Sequence, residues 1–406
     1  MRNKIIIILF ELGWAVSFNF IGTLTISELV LLLTFPLYLK LSLFRQNKDL
    51  VKLAKIYLFL LTSQIVSECF VSNGLESSLK GLAITIVSFL HIMFLYRFLH
   101  GDKKLIVVLL LAQVVMMIAR GPDYGAEGDI ESALLGESVV WLKFYLAPLL
   151  YTLLPALAVL YYRRFIPYLF VVVGGALIVL GARSGGGQIA AAGIIVLLIQ
   201  NRLFKVKNKK IGLIIAAVLG YWAYIIYIDK VLEGEITAGN ASQVFDCDNP
   251  YNPFELLMRG RAEAWVGWQA FLDKPLFGHG AWAIDKTHHY AHMIAEMQDD
   301  SFHYNPTKQY YVPGHSLIIG FGVWNGVFAM VCIIFIMYYS LKRAFALLKI
   351  VDMRYQLLVV SFIIQIIWTF LFSPNSHLRQ TLPIPIAIIL VLYLYEKKKK
   401  QKELIN

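Results

Sequence analysis

The sequence has few charged residues and few cysteines. Only 16% of its 406 residues are charged, whereas soluble proteins contain about 25%. The three cysteines, Cys69, Cys247 and Cys332, lack the spacing of a metal site, and nothing in the sequence argues for a disulfide. We find no internal repeat, no cleavable signal and no soluble domain at either end. These absences exclude the composition of a soluble domain and count against a transporter built from inverted repeats.

Long apolar segments make up most of the chain. It is 58% hydrophobic, with a mean hydropathy of +0.65. Because a helix of about 20 apolar residues crosses a bilayer, we predict an all-α polytopic membrane protein. The sequence predicts about twelve transmembrane helices, at 5–22, 24–43, 53–71, 79–98, 104–119, 140–161, 166–182, 188–200, 211–228, 316–340, 355–372 and 382–395.

The basic residues predict how these helices are oriented. Lysines and arginines such as Lys103, Arg163 and Lys342 fall on alternate connections, while acidic residues occupy the opposite ones. The positive-inside rule therefore places both termini in the cytoplasm. The net charge of +11 is mainly an orientation signal. We expect the basic tail at 397–402 to contact anionic lipids rather than nucleic acid.

One connection is much longer than the others. Residues 229–315 separate the first nine predicted helices (1–228) from a C-terminal region (316–406) with three helices and the basic cytoplasmic tail. This connection contains Trp265, Trp268, Trp282 and many tyrosines. Its aromatic content predicts a folded cap with short helices, on the periplasmic side.

Four arginines are expected on this outer side, where the positive-inside rule disfavours them. Arg183 lies among glycines that would allow backbone N–H groups to approach an anion, and Arg259 and Arg261 open an amphipathic helix. Arg379 precedes the last predicted span. Each also has a structural interpretation, as a snorkelling side chain or a surface ion pair with Glu255 or Glu263. A shared anionic ligand explains all four together.

The histidines suggest a base rather than a metal site. His315 follows Pro-Gly at the start of a predicted span, where a neutral imidazole suits a general base; a helix-start hydrogen bond is the structural alternative. His288 and His292 lie four residues apart, but no acidic motif accompanies them, so we predict no metal. His303 lies near two aspartates and several tyrosines, which suit sugar contacts. The turn around His279 is first of all architectural.

Four segments resemble the O-antigen ligase and O-antigen polymerase superfamily of bacterial envelope glycosyltransferases. They are Ala182-Arg183-Ser184; Arg259-Gly260-Arg261 through Trp265, with the turn Asp273-Lys274-Pro275-Leu276-Phe277-Gly278-His279-Gly280; His315-Ser316 with Gly326; and Arg379. The resemblance covers the whole topology and implies a GT-C-like architecture in the inner membrane. The acidic residue that the family often carries after His315 is absent here.

The resemblance implies a metal-independent, inverting glycosyltransferase with no cofactor. The donor would be a glycan on undecaprenyl diphosphate, and Arg183, Arg261 and Arg379 would neutralise the diphosphate. His315 would deprotonate the acceptor hydroxyl, while Arg259 and His303 would contact substrate. We favour a polymerase, whose acceptor is a lipid-linked repeat unit and whose partner would be a chain-length regulator. The alternative is a ligase that transfers the chain to lipid A–core.

Two interpretations from other classes remain open at this stage. A lipid-linked oligosaccharide flippase should have polar residues deep in several spans. The candidates are few and lie mainly in the first spans: Glu11, Glu28, Gln64, His91, Gln113 and Gln365. A non-catalytic scaffold would leave the outer arginines without a purpose. Alanine at Arg183 or His315 separates a scaffold from an enzyme.

Overall fold

The computed structural model of the protein describes residues 2–20, 22–122, 137–200, 209–236, 242–245, 247–298 and 304–405. Helices form most of this part of the chain. They are α1 (Arg2–Leu12), α2 (Ile26–Tyr38), α3 (Leu41–Gln46), α4 (Lys48–Val71), α5 (Leu75–Leu99), α6 (Lys104–Arg120), α7 (Glu137–Trp141), which continues through a π turn (Leu142–Leu146) into α8 (Ala147–Leu160), α9 (Ile166–Val179), α10 (Arg183–Ile199), α11 (Lys209–Leu232), α12 (Ser242–Phe245), α13 (Pro253–Arg259), α14 (Ala262–Asp273), α15 (His289–Gln298), α16 (Leu317–Leu348), α17 (Met353–Phe372), α18 (His377–Gln380) and α19 (Pro383–Ile405).

The predicted all-α membrane protein is confirmed at this level. Within the described ranges, six helical segments are long and apolar enough to cross a membrane: Lys48–Val71, Leu75–Leu99, Leu142–Leu160, Leu317–Leu348, Met353–Phe372 and His377–Glu403. Three shorter apolar helices, Ile26–Tyr38, Ile166–Val179 and Arg183–Ile199, overlap other predicted spans. The count of twelve spans stays a prediction.

The first two predicted spans are shorter than expected because a β-hairpin separates them. Helix α1 ends at Leu12, and β1 (Ser17–Phe20) pairs antiparallel with β2 (Gly22–Thr25). Polar and apolar residues alternate along both strands, which is the period of a strand and not of a helix. Thr25 then caps α2 in a capping box with Glu28, whose carboxylate accepts from the Thr25 N–H at 2.8 Å.

A break in α16 anchors the loop between residues 229 and 315. At Gly326 the backbone has a φ of 75°, and a side chain there would overlap the carbonyl of Leu276. The freed carbonyls of Val323 and Trp324 accept from the N–H groups of His279 and Gly280, at 2.7 and 2.9 Å. The turn at 273–280 is therefore inserted into a membrane helix, which satisfies backbone groups that lipid would leave unpaired. Its architectural interpretation is confirmed.

Polar side chains hold the inserted turn in place. Ser67 of α4 donates to the carbonyl of Phe277 at 2.6 Å, and the Ala281 N–H donates to Glu68 at 2.8 Å. Asn325, next to the break, donates to Glu68 at 3.4 Å. These bonds tie the loop to α4 as well as to α16.

Small residues allow α9 and α10 to pack closely. Side chains at Gly174, Gly186 or Gly193 would collide with the facing helix, as is usual where membrane helices approach each other. Helices α8, α9, α10 and α17 share one buried apolar cluster, and the larger cluster joins α1, α2, α4 to α6, α14, α16, α17 and α19. The three cysteines are free thiols.

The loops gather at two ends of the helix bundle. At one end, which we call the cap end, Asn73 between α4 and α5 donates to the carbonyl of His279 at 2.9 Å. At the opposite end, Arg343 pairs with Asp49 at 2.7 Å and Lys103 with Glu396 at 3.5 Å. At each end, the residues that make these contacts come from connections that the charge pattern predicts on the same side of the membrane.

Candidate functional site

Helix α14 brings part of the predicted site to the start of α16. Its buried face, which includes Ala262, Val266 and Ala270, packs against α16. At Gly267 an added Cβ would lie 3.0 Å from the carbonyl oxygen of Pro313, so a larger residue would push the two apart. The first turn of α14 therefore lies next to His315.

The side chain of His315 contacts that of Glu263. Its ring nitrogen Nδ1 contacts Oε2 of this glutamate, which lies in the first turn of α14. A proton on Nδ1 that is directed to a carboxylate leaves Nε2 as the proton acceptor, which is the state a general base needs. Both side chains are partly exposed, so a substrate can reach them. Sequence reasoning had Glu263 only as a partner for arginine.

Arg261 lies over two aromatic rings at the end of α17. Its guanidinium carbon is 5.3 Å from the ring centre of Trp368 and 5.4 Å from that of Phe372. Such cation–π contacts orient a guanidinium without consuming its hydrogen-bond donors. Arg261 and Glu263 flank the N-terminus of α14, so a cation and a histidine–carboxylate pair occupy one region of the cap end.

Arg183 has different neighbours. Its guanidinium carbon lies 4.9 Å from the ring centre of Tyr227 in α11, and Tyr227 packs on a small apolar cluster with Leu256 of α13. Arg183 is the first residue of α10, and Gly185 and Gly186 contact Ala147 and α9. These two glycines therefore allow close helix packing, and the anion-binding nest around Arg183 stays a prediction. Arg259 ends α13 and is half-buried.

Arg379 is tied to a buried carboxylate. Its Nη1 lies 2.9 Å from Oε1 of Glu28, which is fully buried in α2. The ring of His91 contacts the Arg379 carbonyl at 3.2 Å. The charge of Arg379 is thus largely balanced by a carboxylate of the protein itself. The sequence had predicted that a diphosphate would balance it.

His279 and His288 contribute to the architecture of the cap. His279 donates from Nε2 to the carbonyl of Ala270 at 2.8 Å. Asp285 caps α15 by accepting from three backbone N–H groups, and His288 bonds to the Tyr304 hydroxyl at 2.8 Å. The helix begins at His289, so His288 precedes it. Among the described residues no group of three or more metal-binding side chains occurs. His303 lies outside them.

Asn375 is a polar residue near this region that sequence reasoning missed. It is buried, and in the described part of the chain its side-chain amide has no hydrogen-bond partner. It contacts Gly320, one turn into α16 from His315. The only signal in the sequence is its position after Pro374, in the segment noted for Arg379.

A second polar region lies elsewhere in the bundle. A cavity of about 260 Å³ is bordered by α1, α6, α8, α17, α18 and α19, and Glu11, Gln113 and Gln365 line it. None of the residues predicted for catalysis lines it.

No family model and no curated protein matches this chain, so the candidate site is described by its own geometry.

Proposed function

We propose that the protein transfers a glycan from undecaprenyl diphosphate to a sugar hydroxyl, as a polymerase of polysaccharide repeat units. The supporting observation is the His315–Glu263 pair, close to Arg261 and its aromatic neighbours at the cap end. A base held by a carboxylate, beside a cation held by aromatic rings, suits displacement of a diphosphate by a hydroxyl. The cap end would be the periplasmic face of a twelve-span, GT-C-like protein in the bacterial inner membrane.

The reaction is a single displacement. Nε2 of His315 accepts the proton of the acceptor hydroxyl while its oxygen attacks the anomeric carbon of the donor. The bond from that carbon to the diphosphate oxygen breaks, and the diphosphate leaves with the electron pair. Glu263 stabilises the imidazolium that forms. Direct attack inverts the configuration at the anomeric carbon.

Arg261 has the second role in this proposal. Negative charge grows on the leaving diphosphate as the C–O bond breaks, and an oriented guanidinium stabilises it without a metal. Arg183 and Arg259 would bind the diphosphate or the glycan further along the cap. Arg379, whose charge is balanced by Glu28, would act by fixing the segment around Asn375.

The test uses the purified full chain with undecaprenyl-diphosphate-linked repeat units as the only substrate, in EDTA. We expect a ladder of longer glycans. His315→Ala should lower the rate by about 10²- to 10⁴-fold, the usual contribution of a general base. His289→Ala is the matched control, since His289 is exposed on α15. Transfer that requires added lipid A–core would make the protein a ligase. Full activity of His315→Ala would refute the mechanism.

A further inference from the structure

The cavity bordered by α1, α6, α8, α17, α18 and α19 has a buried carboxyl group in its wall. Glu11 lines it, is only 1% exposed, and neither of its carboxylate oxygens has a hydrogen-bond partner among the described residues. An acidic side chain buried without a partner is costly. A buried carboxyl group that borders a cavity of this size points to a ligand that supplies the missing hydrogen bonds.

Three glutamines line the same cavity. Gln113 of α6, Gln365 of α17 and Gln380 of α18 approach it from three helices. Each amide offers both donors and acceptors, and the carboxylate adds acceptors. An ammonium group would use only the acceptors, and a simple metal ion would use only the oxygens. A neutral ligand with several hydroxyl groups uses all of these groups at once.

Aromatic residues complete the lining. Trp14, at the end of α1, and Tyr145, in the π turn before α8, both border the cavity. Their rings offer flat apolar surfaces for the C–H faces of a sugar, while their polar atoms remain available for hydrogen bonds. The volume of about 260 Å³ lies just below the roughly 300–1,000 Å³ of sites for drug-sized ligands. It suits about one sugar ring.

The cavity lies towards the cap end of the bundle. Arg120, the last residue of α6, and Thr381, which follows α18, both border it. Lys103, just before the other end of α6, pairs with Glu396 at the opposite end of the bundle. Arg120 and Phe144 are exposed at the rim, which gives a ligand a way in.

We propose that this cavity is a second binding site, for the hydroxyl-rich ring of a neutral sugar, with Glu11 as its central acceptor. The site is distinct from the region of His315, Glu263 and Arg261, and it does not depend on the proposed transfer reaction. Binding is measured here without turnover, so a failure of one proposal leaves the other standing.

The test measures reaction of Glu11 with dicyclohexylcarbodiimide, which modifies carboxyl groups in apolar surroundings. The full chain is purified in an amine-oxide detergent, and the modified fraction of Glu11 is read by peptide mass spectrometry. Octyl glucoside is added as the probe, with methyl glucoside as the free-sugar arm and an octyl polyoxyethylene ether as the arm without a sugar. Glu28, which is paired with Arg379, is the internal control for a buried carboxylate.

We expect Glu11 to react and octyl glucoside to protect it. At ten times the dissociation constant, protection should slow the reaction by about tenfold. Protection by methyl glucoside as well would indicate a free sugar as the ligand, whereas protection by octyl glucoside alone would indicate a lipid-borne sugar. Gln113→Leu should weaken protection while the reaction without sugar is unchanged.

Three results would overturn the proposal. The first is equal protection by the polyoxyethylene ether, which would mean that the alkyl chain is recognised. The second, read in a further arm with octyltrimethylammonium, is protection by this cation but not by the glucosides, which would make the cavity a cation site. The third is no reaction of Glu11 in any arm, since the carboxyl would then be closed to ligands. These arms use the unaltered chain, so they stand even if Gln113→Leu fails to fold.

Discussion

Two pairs of a carboxylate and a basic side chain differ in how far water reaches them. Glu28 and Arg379 are 0% and 19% exposed, whereas Glu263 and His315 are 38% and 31% exposed. Both pairs join residues that are distant in the sequence. The first pair is sealed between α2 and α18, so each charge is neutralised mainly by the other. The second pair is open, so its groups remain available to a substrate.

The sealed pair should produce the largest effect when one partner is removed. Arg379→Ala leaves the carboxylate of Glu28 buried without its cation, and we expect the free energy of unfolding to fall by about 3–5 kcal/mol. The measurement is equilibrium unfolding in mixed micelles with a rising fraction of sodium dodecyl sulfate.

Adding Glu28→Gln should recover part of this loss, because the unpaired charge is then gone. Lys399→Ala, which removes an exposed pair with Glu403, is the control. A loss for Arg379→Ala as small as that of the control would show that the pair is not sealed.

The open pair should affect activity rather than stability. Glu263→Gln removes the negative charge that stabilises the imidazolium of His315 as it forms, so we expect kcat/KM to fall by roughly 10- to 150-fold, a loss of about 1.5–3 kcal/mol at the transition state. Unfolding should change by less than about 0.5 kcal/mol. Rates on lipid-linked repeat units give the first value and micellar unfolding the second.

Glu296→Gln on α15 is the matched control for Glu263→Gln, because Glu296 is exposed. If both glutamine variants keep full activity, Glu263 has no part in catalysis.

The aromatic neighbours of Arg261 should have a smaller effect. Trp368→Leu removes one of the two rings beneath the guanidinium and should raise KM through a loss of about 0.5–2 kcal/mol. Because Trp368 acts through Arg261, the double variant with Arg261→Gln, which carries no cation, should lose little more than Arg261→Gln alone. Fully additive losses would contradict the contact.

The smallest effect is expected for the pair whose carboxylate is the most exposed of the three. Glu76 and Lys80, one turn apart on α5, are 67% and 31% exposed and lie 2.6 Å apart. Glu76→Gln should cost only about 0.3–0.5 kcal/mol, and less in high salt. A larger value, measured by the same micellar unfolding, would mean that exposure does not rank these three pairs.

The sequence predicted the membrane helices better than the segments that connect them. Apolar runs such as 53–71 and 355–372 match α4 and α17 closely because burial in lipid is read directly from composition. The hairpin at Ser17–Thr25 was missed because its apolar content resembles that of a helix, although its alternation and the capping signature of Thr25 and Glu28 were visible.

The partners of the candidate site residues were beyond the reach of the sequence. The family resemblance led us to look for a carboxylate after His315, but Glu263 approaches from the cap because α14 packs along α16. Glu28 was considered only as a transport residue, and its pairing with Arg379 depends on the fold. Glu11 was visible as a charge, whereas its cavity exists only once six helices have met.

The break in α16 also fixes the order in which the protein is completed. The turn at 273–280 is synthesised before α16, yet its N–H groups find their acceptors only on Val323 and Trp324. The cap therefore cannot finish folding as the ribosome delivers it. It must wait until the next membrane helix has been inserted, so the insertion of α16 is the step that completes the cap.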